Sequence, residues 1–416
     1  VLVSRKMRSS VLCAFLAFGL LSPTQADRGD AIRFEAAVSQ ISKLAKKRPT
    51  VESLLDSVRA TVPDVRAEAM TVGGLTHHLA QSSDRELPIK VLEAMLKSLD
   101  DRWARLYTPE ESESMRNSLD GDGRGSLGLN LVAEEGRKFG LLITDVAPNG
   151  PAVGLIEPGE RLQGIDGHDL RVPNEVKLDT LLHGEPGTMA RLRIGDRDGT
   201  TRRVDVKRVD LDAPTAYLTK KDSVTTEIRI TSFGADTARE LAAILKDRPT
   251  GALVLDLRCN GGGYVKSAVA CGSLFLADGS LVVQTESPDG VTRHLTEGAP
   301  LYRGNVCLLV NSKTASAAEI FASSLQYHLG AKLVGDVTYG KGSVQRIVDL
   351  PGEWALKVTT SAYRTAAGEL IDGRGIRPDV ELEMPIAACR TEGDAQMAHA
   401  RQHLRALAGA TVGPQG

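Results

Sequence analysis

Apolar positions recur along this chain with two periods. At helical spacing they mark Ala31–Ile41, Leu87–Leu99, Asp236–Lys246, Val265–Phe275 and Ala315–Leu329. Short β-branched or alternating runs, read as strands, occur at Thr226–Ile230, Ala252–Leu255, Val306–Val310 and Ser343–Leu350. From Leu211 to Met384 the two kinds alternate, which predicts an α/β layer with crossover helices. Before it, Gly125 to about Arg208 breaks into short strands separated by glycine and proline turns. Asp27 to about Ser114 reads as helical. The tail from Ala395, with Ala400–Ala408 at its centre, predicts one more helix, and Thr411–Gly416 reads as a frayed end.

The densest chemistry lies between Asn311 and Gln345. Ser316-Ala-Ala-Glu319 is a Ser-x-x-Glu capping box opening a helix that should stop at Gly330. Most serines in that pattern only cap. The same position also lies beside unpaired amides at the positive end of a helix dipole, so an oxyanion formed at Ser316 could take the Ala317 amide. Downstream, Gly335-Asp-Val-Thr-Tyr-Gly-Lys341 falls one residue short of a phosphate-binding loop. Gly342 stands where Ser or Thr should hold magnesium, and a strand follows where a helix should. Asp256-Leu-Arg-Cys-Asn-Gly-Gly-Gly263 ends another strand. Its glycines permit close backbone approach, as a second oxyanion donor or an ordinary strand-to-helix turn would.

A histidine base is not available to Ser316 on this pattern. His328 is the nearest, but twelve residues along one helix put it about 18 Å away. The chain contains no HExxH, GxSxG or SxxK motif, so zincins, α/β-hydrolase esterases and penicillin-binding relatives lack support. Lysine remains. A lysine amine titrates near 10.4, and keeping it neutral at pH 7 costs about 4.6 kcal/mol, so the site must favour the neutral form, most simply by burial.

Four motifs, in order, resemble those of the C-terminal processing peptidases, also called tail-specific proteases. They are Asp256–Gly263, the Ser316 segment, Thr338-Tyr-Gly-Lys-Gly-Ser-Val-Gln345 and Gly373-Arg-Gly-Ile-Arg-Pro-Asp379. The resemblance runs from about Leu99 to Leu382. It implies an exported serine endoprotease with an inserted PDZ domain, acting through an acyl-enzyme. It implies Ser316 as nucleophile, Lys341 as base, Gln345 as the residue that orients the lysine, and the amides of Gly262 and Ala317 as the oxyanion hole. Phrases such as Gly140-Leu-Leu-Ile-Thr-Asp-Val-Ala-Pro-Asn-Gly and Pro158-Gly-Glu-Arg-Leu-Gln-Gly-Ile-Asp-Gly look like a PDZ domain, which captures a C-terminal peptide as an added strand. Its carboxylate loop would be Ser126, Leu127, Gly128 and Leu129. Some family members carry an acidic residue eleven positions after the serine; here that residue is Tyr327. The alternative is a catalytically silent scaffold that binds tails without cutting them.

The expected fold class is therefore multidomain α/β and α+β. Residues 1–26 form a signal peptide, 27–114 a helical region, 115–210 the PDZ-like domain with its linkers, 211–385 the protease core and 386–416 a helical tail. Arg5, Lys6 and Arg8 precede an apolar run, Val11–Leu21, too short for a membrane span, and Thr24-Gln-Ala26 resembles a cleavage site. The mature protein is expected to be exported or periplasmic, with no stable membrane span. With 51 basic and 53 acidic residues, a net charge of −2 and 4% aromatics, no nucleic-acid partner is expected. Partners are protein or peptide substrates with accessible C-terminal tails; the sequence does not decide on an adaptor or self-association. No cofactor and no metal are expected, since no zinc spacing occurs. Export permits a disulfide among Cys259, Cys271, Cys307 and Cys389, but the pattern reads more simply as buried thiols.

Overall fold

The computed structural model describes residues 25–47, 49–62, 71–82, 84, 86–113, 125–134, 140–170, 178, 181–196, 199–247 and 251–410. The expected signal segment up to Pro23 and Thr24 and the frayed end from Thr411 lie outside the described residues.

Four helices open the chain: α1 (Gln25–Leu44), α2 (Val51–Thr61), α3 (Val72–Gln81) and α4 (Leu87–Ser98). Thr50 and Thr71 cap α2 and α3 by accepting the amides of Ser53 and Gly74. Their apolar faces share one core, in which Phe34, Ile41, Leu54, Leu75, Val91 and Met95 are buried. A short strand, β1 (Arg105–Tyr107), then leaves the bundle.

A second sheet follows, made of β2 (Leu129–Val132), β3 (Leu141–Val146), β4 (Arg161–Ile165), β5 (His168–Asp169), β6 (Met189–Gly195) and β7 (Thr201–Lys207). Its order is β2-β3-β4-β6-β7, with β5 on β4, so β2 is an edge strand. Leu127, Ile143, Leu162, Leu192 and Val206 fill its core.

The rest of the chain builds the α/β layer read from the sequence. Its elements are β8 (Ala216–Lys221), β9 (Thr225–Ile230), α5 (Thr237–Lys246), β10 (Ala252–Asp256), α6 (Val265–Ser273), β11 (Leu281–Ser287), β12 (Gly290–Leu295), β13 (Val306–Val310), α7 (Ala317–Leu329), β14 (Lys332–Gly335), β15 (Ser343–Asp349), β16 (Ala355–Thr365), β17 (Val380–Glu381) and α8 (Ala395–Ala410). The central sheet runs β17-β14-β13-β10-β9-β8, parallel except for β8. Period-two alternation sorts its side chains. Leu253, Leu255, Leu308 and Val310 point into the core shared with α5, α6 and α7. Ala252, Val254, Cys307 and Leu309 point the other way, onto Met397, Ala400 and Leu404 of α8. A third sheet, β1-β16-β11-β12 with β15 on β16, joins the helical bundle to this layer, since Leu356 and Val358 of β16 belong to the bundle's core.

All four described cysteines are free, and burial pushes the Cys271, Cys307 and Cys389 thiols up to about 12. Such thiols stay protonated at neutral pH and act as small apolar side chains. Among the described residues no helix is long and apolar enough to cross a membrane.

Paired charges mark the junction of the second sheet with the central one. Arg229 of β9 is fully buried and grips Asp145 of β3 with two bonds, of 2.8 and 2.9 Å. Arg258 grips Asp256 in the same way, at 2.9 and 2.8 Å, and reaches Asp394 at 2.9 Å. Arg390 stands 3.5 Å from Asp145 and 3.6 Å from Asp256. Burial alone would push the Asp145 carboxyl up; the Arg229 guanidinium outweighs it and holds the group below the usual carboxylate range. Removing one side of such a pair strands a buried charge. Arg229→Met is expected to cost about 3–5 kcal/mol in urea unfolding, and the double variant Asp145→Leu/Arg229→Met less than the single one. Equal losses in both would show that the charges are solvated rather than paired.

Candidate active site

Three loops meet where the parallel strands β10, β13 and β14 end. Open α/β sheets bind ligands at these carboxyl ends, because that is where successive loops converge. Asp256–Gly263 follows β10, Asn311–Ser316 follows β13, and Asp336–Gly342 follows β14. The three are laced together: Ala315 N–H donates to Asn260 O at 2.9 Å, Thr314 Oγ1 to Leu257 O at 2.9 Å, and Tyr339 N–H to Thr314 O at 2.9 Å.

Ser316 caps α7 and is held at φ 57°, ψ −119°, a conformation that L residues rarely adopt. Such strain, on the order of 1–3 kcal/mol, persists only where neighbours fix it. One neighbour does most of this. Glu319, fully buried, accepts four hydrogen bonds: from Ser316 N–H at 2.7 Å, Lys341 N–H at 2.9 Å, Gly340 N–H at 2.7 Å and Thr338 Oγ1 at 2.5 Å. Its Oε2 alone takes the amides of both Ser316 and Lys341, so those two nitrogens lie no farther apart than the sum of the two bonds. Burial pushes the Glu319 carboxyl above its ordinary range, against the pull of these donors. The capping box read from the sequence is therefore real, and its glutamate does far more than cap.

Lys341 is half-buried, with its ammonium 4.9 Å from the centroid of the Trp103 indole. Its loop turns at Gly340, φ 81°, where a Cβ would sit 2.8 Å from Gly375 N and 3.0 Å from Arg374 N. Gly375 is constrained in its own right, at φ 71°, where a Cβ would run into Thr338 O, whereas Gly373 is marked only by its positive φ of 72°. The strand expected after Lys341 is β15, which removes the phosphate-loop reading. Gln345 lies at a β-bulge in β15, and its Nε2 donates to Ser343 O at 3.2 Å and to Ser343 Oγ at 2.9 Å.

The two expected oxyanion donors fare differently. Ala317 opens α7 beside Ser316, as expected. The Gly262 amide is already used: it donates to Asn260 Oδ1 at 2.9 Å, because the buried Asn260 side chain folds back over its own loop. Gly262 instead supplies room. At φ 107° it packs so closely that a Cβ would lie 2.8 Å from Ser316 Cβ and 3.0 Å from Ala317 N. In the second sheet, Leu127 is buried in the core, Ser126 N–H pairs with Val209 O, and Gly128 N–H donates to Ser126 Oγ at 3.1 Å. Within Ser126–Leu129, then, the amides of Ser126 and Gly128 are occupied, contrary to a loop of free carboxylate donors.

The sequence shows Thr338 only as the first residue of a motif, without its bond to Glu319, and sequence reasoning misses Trp103 and Tyr363 altogether. Tyr363 of β16 is buried and its N–H binds Gly342 O at 2.7 Å. Burial pushes its phenol up to about 12, against a hydrogen bond with the Ser316 side chain. No one-dimensional signal links these positions to Ser316, since each arrives from a separate element. Among the described residues no cluster of His, Cys, Asp and Glu could hold a metal ion.

The model of peptidase family S41 matches residues 225–382, the span that carries all three loops. A carboxy-terminal-processing protease of Bartonella bacilliformis is 31% identical over 329 residues, covering 75% of this chain and 73% of its own length. The chain belongs to peptidase family S41. CtpA of Bacillus subtilis, named a carboxy-terminal processing protease, is 28% identical over 82% of this chain and 71% of its own. A chloroplastic carboxyl-terminal-processing peptidase of Arabidopsis thaliana is 30% identical, and this chain spans 61% of its length. Among solved structures, the photosystem II D1 C-terminal processing protease superposes with a TM-score of 0.61 at 22% identity, over 88% of this chain and 98% of its own, a likeness of fold. The chain is thus a serine-type peptidase of the carboxyl-terminal processing kind.

Two substitutions test the packing of the S41 site. Gly262→Ala should keep the fold by circular dichroism yet lose at least about 100-fold in kcat/KM, since the methyl would press on Ser316 and screen the Ala317 amide. Glu319→Gln should lower stability by about 2–3 kcal/mol, because an amide offers one accepting oxygen and sets its NH2 against donors. Wild-type unfolding in that variant would remove Glu319 from the account.

Proposed function

We propose that this S41 peptidase cuts polypeptides through an acyl-enzyme on Ser316, with Lys341 as the base. The single observation that carries the reading is the shared Glu319 oxygen. It ties the backbone of the strained serine to that of the lysine, and no histidine enters the arrangement. Neutral Lys341 takes the Ser316 hydroxyl proton as Oγ attacks the scissile carbonyl. The Ala317 amide, at the positive end of α7, faces the developing oxyanion. Lys341 then passes its proton to the leaving amine of the C-terminal fragment, and the N-terminal fragment stays esterified to Oγ through its new C-terminal carbonyl until water, deprotonated by the same lysine, releases it. Gln345 fixes Ser343, two residues beyond Lys341, and so stiffens the loop without adding a carboxylate that would favour the ammonium.

Substrate choice is read from the second sheet. Its strand order supports a PDZ-like reading, and β2, an edge strand among the described residues, offers a side for a peptide tail to add as a further strand. The tail's carboxylate would have to find donors other than the Ser126 and Gly128 amides, which are taken. Export rests on the sequence pattern of residues 1–26 alone.

The test uses the whole chain and an unstructured substrate ending in small apolar residues. Ser316→Ala and Lys341→Ala should each abolish cleavage. Wild-type activity should rise along one limb through the neutral to alkaline range, because the base works only when deprotonated. A limb near 6.5 that survived Lys341→Ala would point to histidine and overturn the reading. Blocking the substrate C-terminus by amidation should raise KM far more than it lowers kcat if β2 docks the tail.

A further inference from the structure

The loop between α4 and β1 brings two residues to Lys341 that nothing in the motifs announced. Trp103 offers its indole face to the Lys341 ammonium at 4.9 Å. Arg102 places its guanidinium over the same indole, also at 4.9 Å from the centroid. The two cationic centres are therefore no farther apart than twice that distance. Arg102 also donates to Gly340 O at 3.3 Å, the carbonyl just before Lys341, and stands 3.8 Å from Asp372. Asp372 in turn accepts the Gly342 amide at 3.2 Å, just after Lys341. The lysine's backbone is thus held from both sides, and its side chain shares one aromatic ring with a second cation.

We propose that Trp103 and Arg102 are positioning residues for Lys341, the indole fixing where the amine sits and the guanidinium favouring its neutral form. The proposal rests on Lys341 being the base. A ring face attracts an ammonium, so Trp103 alone would hold the lysine charged. A neighbouring cation has the opposite effect and is one of the known ways to activate a lysine. The carboxylates nearby, Asp100 and Asp101, have their own partners. Asp101 binds Thr359 N–H at 2.8 Å and Thr359 Oγ1 at 2.9 Å, and Asp100 pairs with Lys47 at 3.4 Å. Lys46 and Lys47 line the same 340 Å³ cavity as Trp103 and Asp372. From α7, Glu319 is committed to its four donors; from β16, Tyr363 offers a phenol that stays protonated; from the lysine's own loop comes Tyr339, its ring 6.3 Å from Trp103. Arg374 belongs to the segment packed on Gly340. Asp372 is the exposed counter-charge that moderates Arg102.

The two residues predict shifts of opposite sign in one measurement. The rate at which a fluorophosphonate labels Ser316 is followed against pH, a readout that needs no peptide substrate. Arg102→Met should move the limb up by about half a pH unit at low salt, with the difference shrinking as salt is added. Arg102→Lys should restore it. Trp103→Leu should move the limb down and lower the plateau at least about tenfold, because the amine loses its place. Trp103→Phe, which keeps a ring and guards against a folding defect, should return most of the plateau. If Lys341→Ala still labels at the wild-type rate, the base assignment itself fails. If Lys341→Ala is dead while neither Arg102→Met nor Trp103→Leu moves the limb, the base stands and this proposal falls.

Discussion

One buried carboxylate holds the catalytic geometry together. Glu319 lies on the first turn of α7 and accepts bonds from two segments of chain: the serine before it and the lysine loop, from Thr338 to Lys341. Thr338 extends the reach, since its Oγ1 accepts Ile376 N–H at 2.6 Å. The cost is visible in the carboxyl, which burial holds above its ordinary range. A carboxyl whose folded value exceeds its unfolded one favours folding at low pH, and that contribution is lost as pH rises through the folded value. Ionisation of Glu319 at neutral pH therefore gives up part of the stability its protonated form would contribute, while the four donors it gathers fix the local arrangement. Such an exchange is expected where strain at Ser316 must be sustained.

A second set of charges ties this centre to the rest of the molecule. Asp145 belongs to the second sheet, Arg229 to β9, Asp256 and Arg258 to the start of the Asn260–Gly263 turn, and Arg390 and Asp394 to the segment entering α8. Three acids face three arginines, and all six side chains are largely buried. A shift of β3 relative to the core would have to separate Asp145 from Arg229, and Asp256, next to it, leads straight into the loop that packs on Ser316. Whatever moves the second sheet therefore acts on the site through paired charges whose separation is expensive.

The sequence made the chemistry legible wherever it was local. The Ser-x-x-Glu box, the Gly330 stop, the glycine turn after β10 and the strand after Lys341 all stand as read, because each depends on a few adjacent residues. What escaped was set by three-dimensional convergence. Trp103 comes from 238 positions before Lys341 (341 minus 103), at the end of a helical region that carries no chemical motif. The diversion of the Gly262 amide to Asn260 depends on how a buried side chain folds, which no periodicity encodes. In the same way Ser126 and Gly128 look like free donors in sequence, yet the Val209 carbonyl and the serine's own hydroxyl occupy them.

A lysine base poses a problem that histidine does not. Its amine rides on four flexible bonds, with about 2 kcal/mol of rotamer entropy to be lost on fixing it, and its proton must leave at a pH where free lysine keeps it. Burial helps with the second difficulty but not the first. On the proposed reading of Lys341 as base, this fold meets them with separate parts. The backbone is pinned by Glu319 from below, by Tyr363 N–H on Gly342 O and by the contacts of Arg102 and Asp372 on either side. The side chain then has an indole to lie on, and a second cation over that indole offsets the charge the ring would otherwise favour. Pinning the backbone first matters, because a weak aromatic contact worth about 1 kcal/mol can select a rotamer only when the chain beneath it is already still. Order in the site is thus built from the buried carboxylate outward, and the reactive amine comes last.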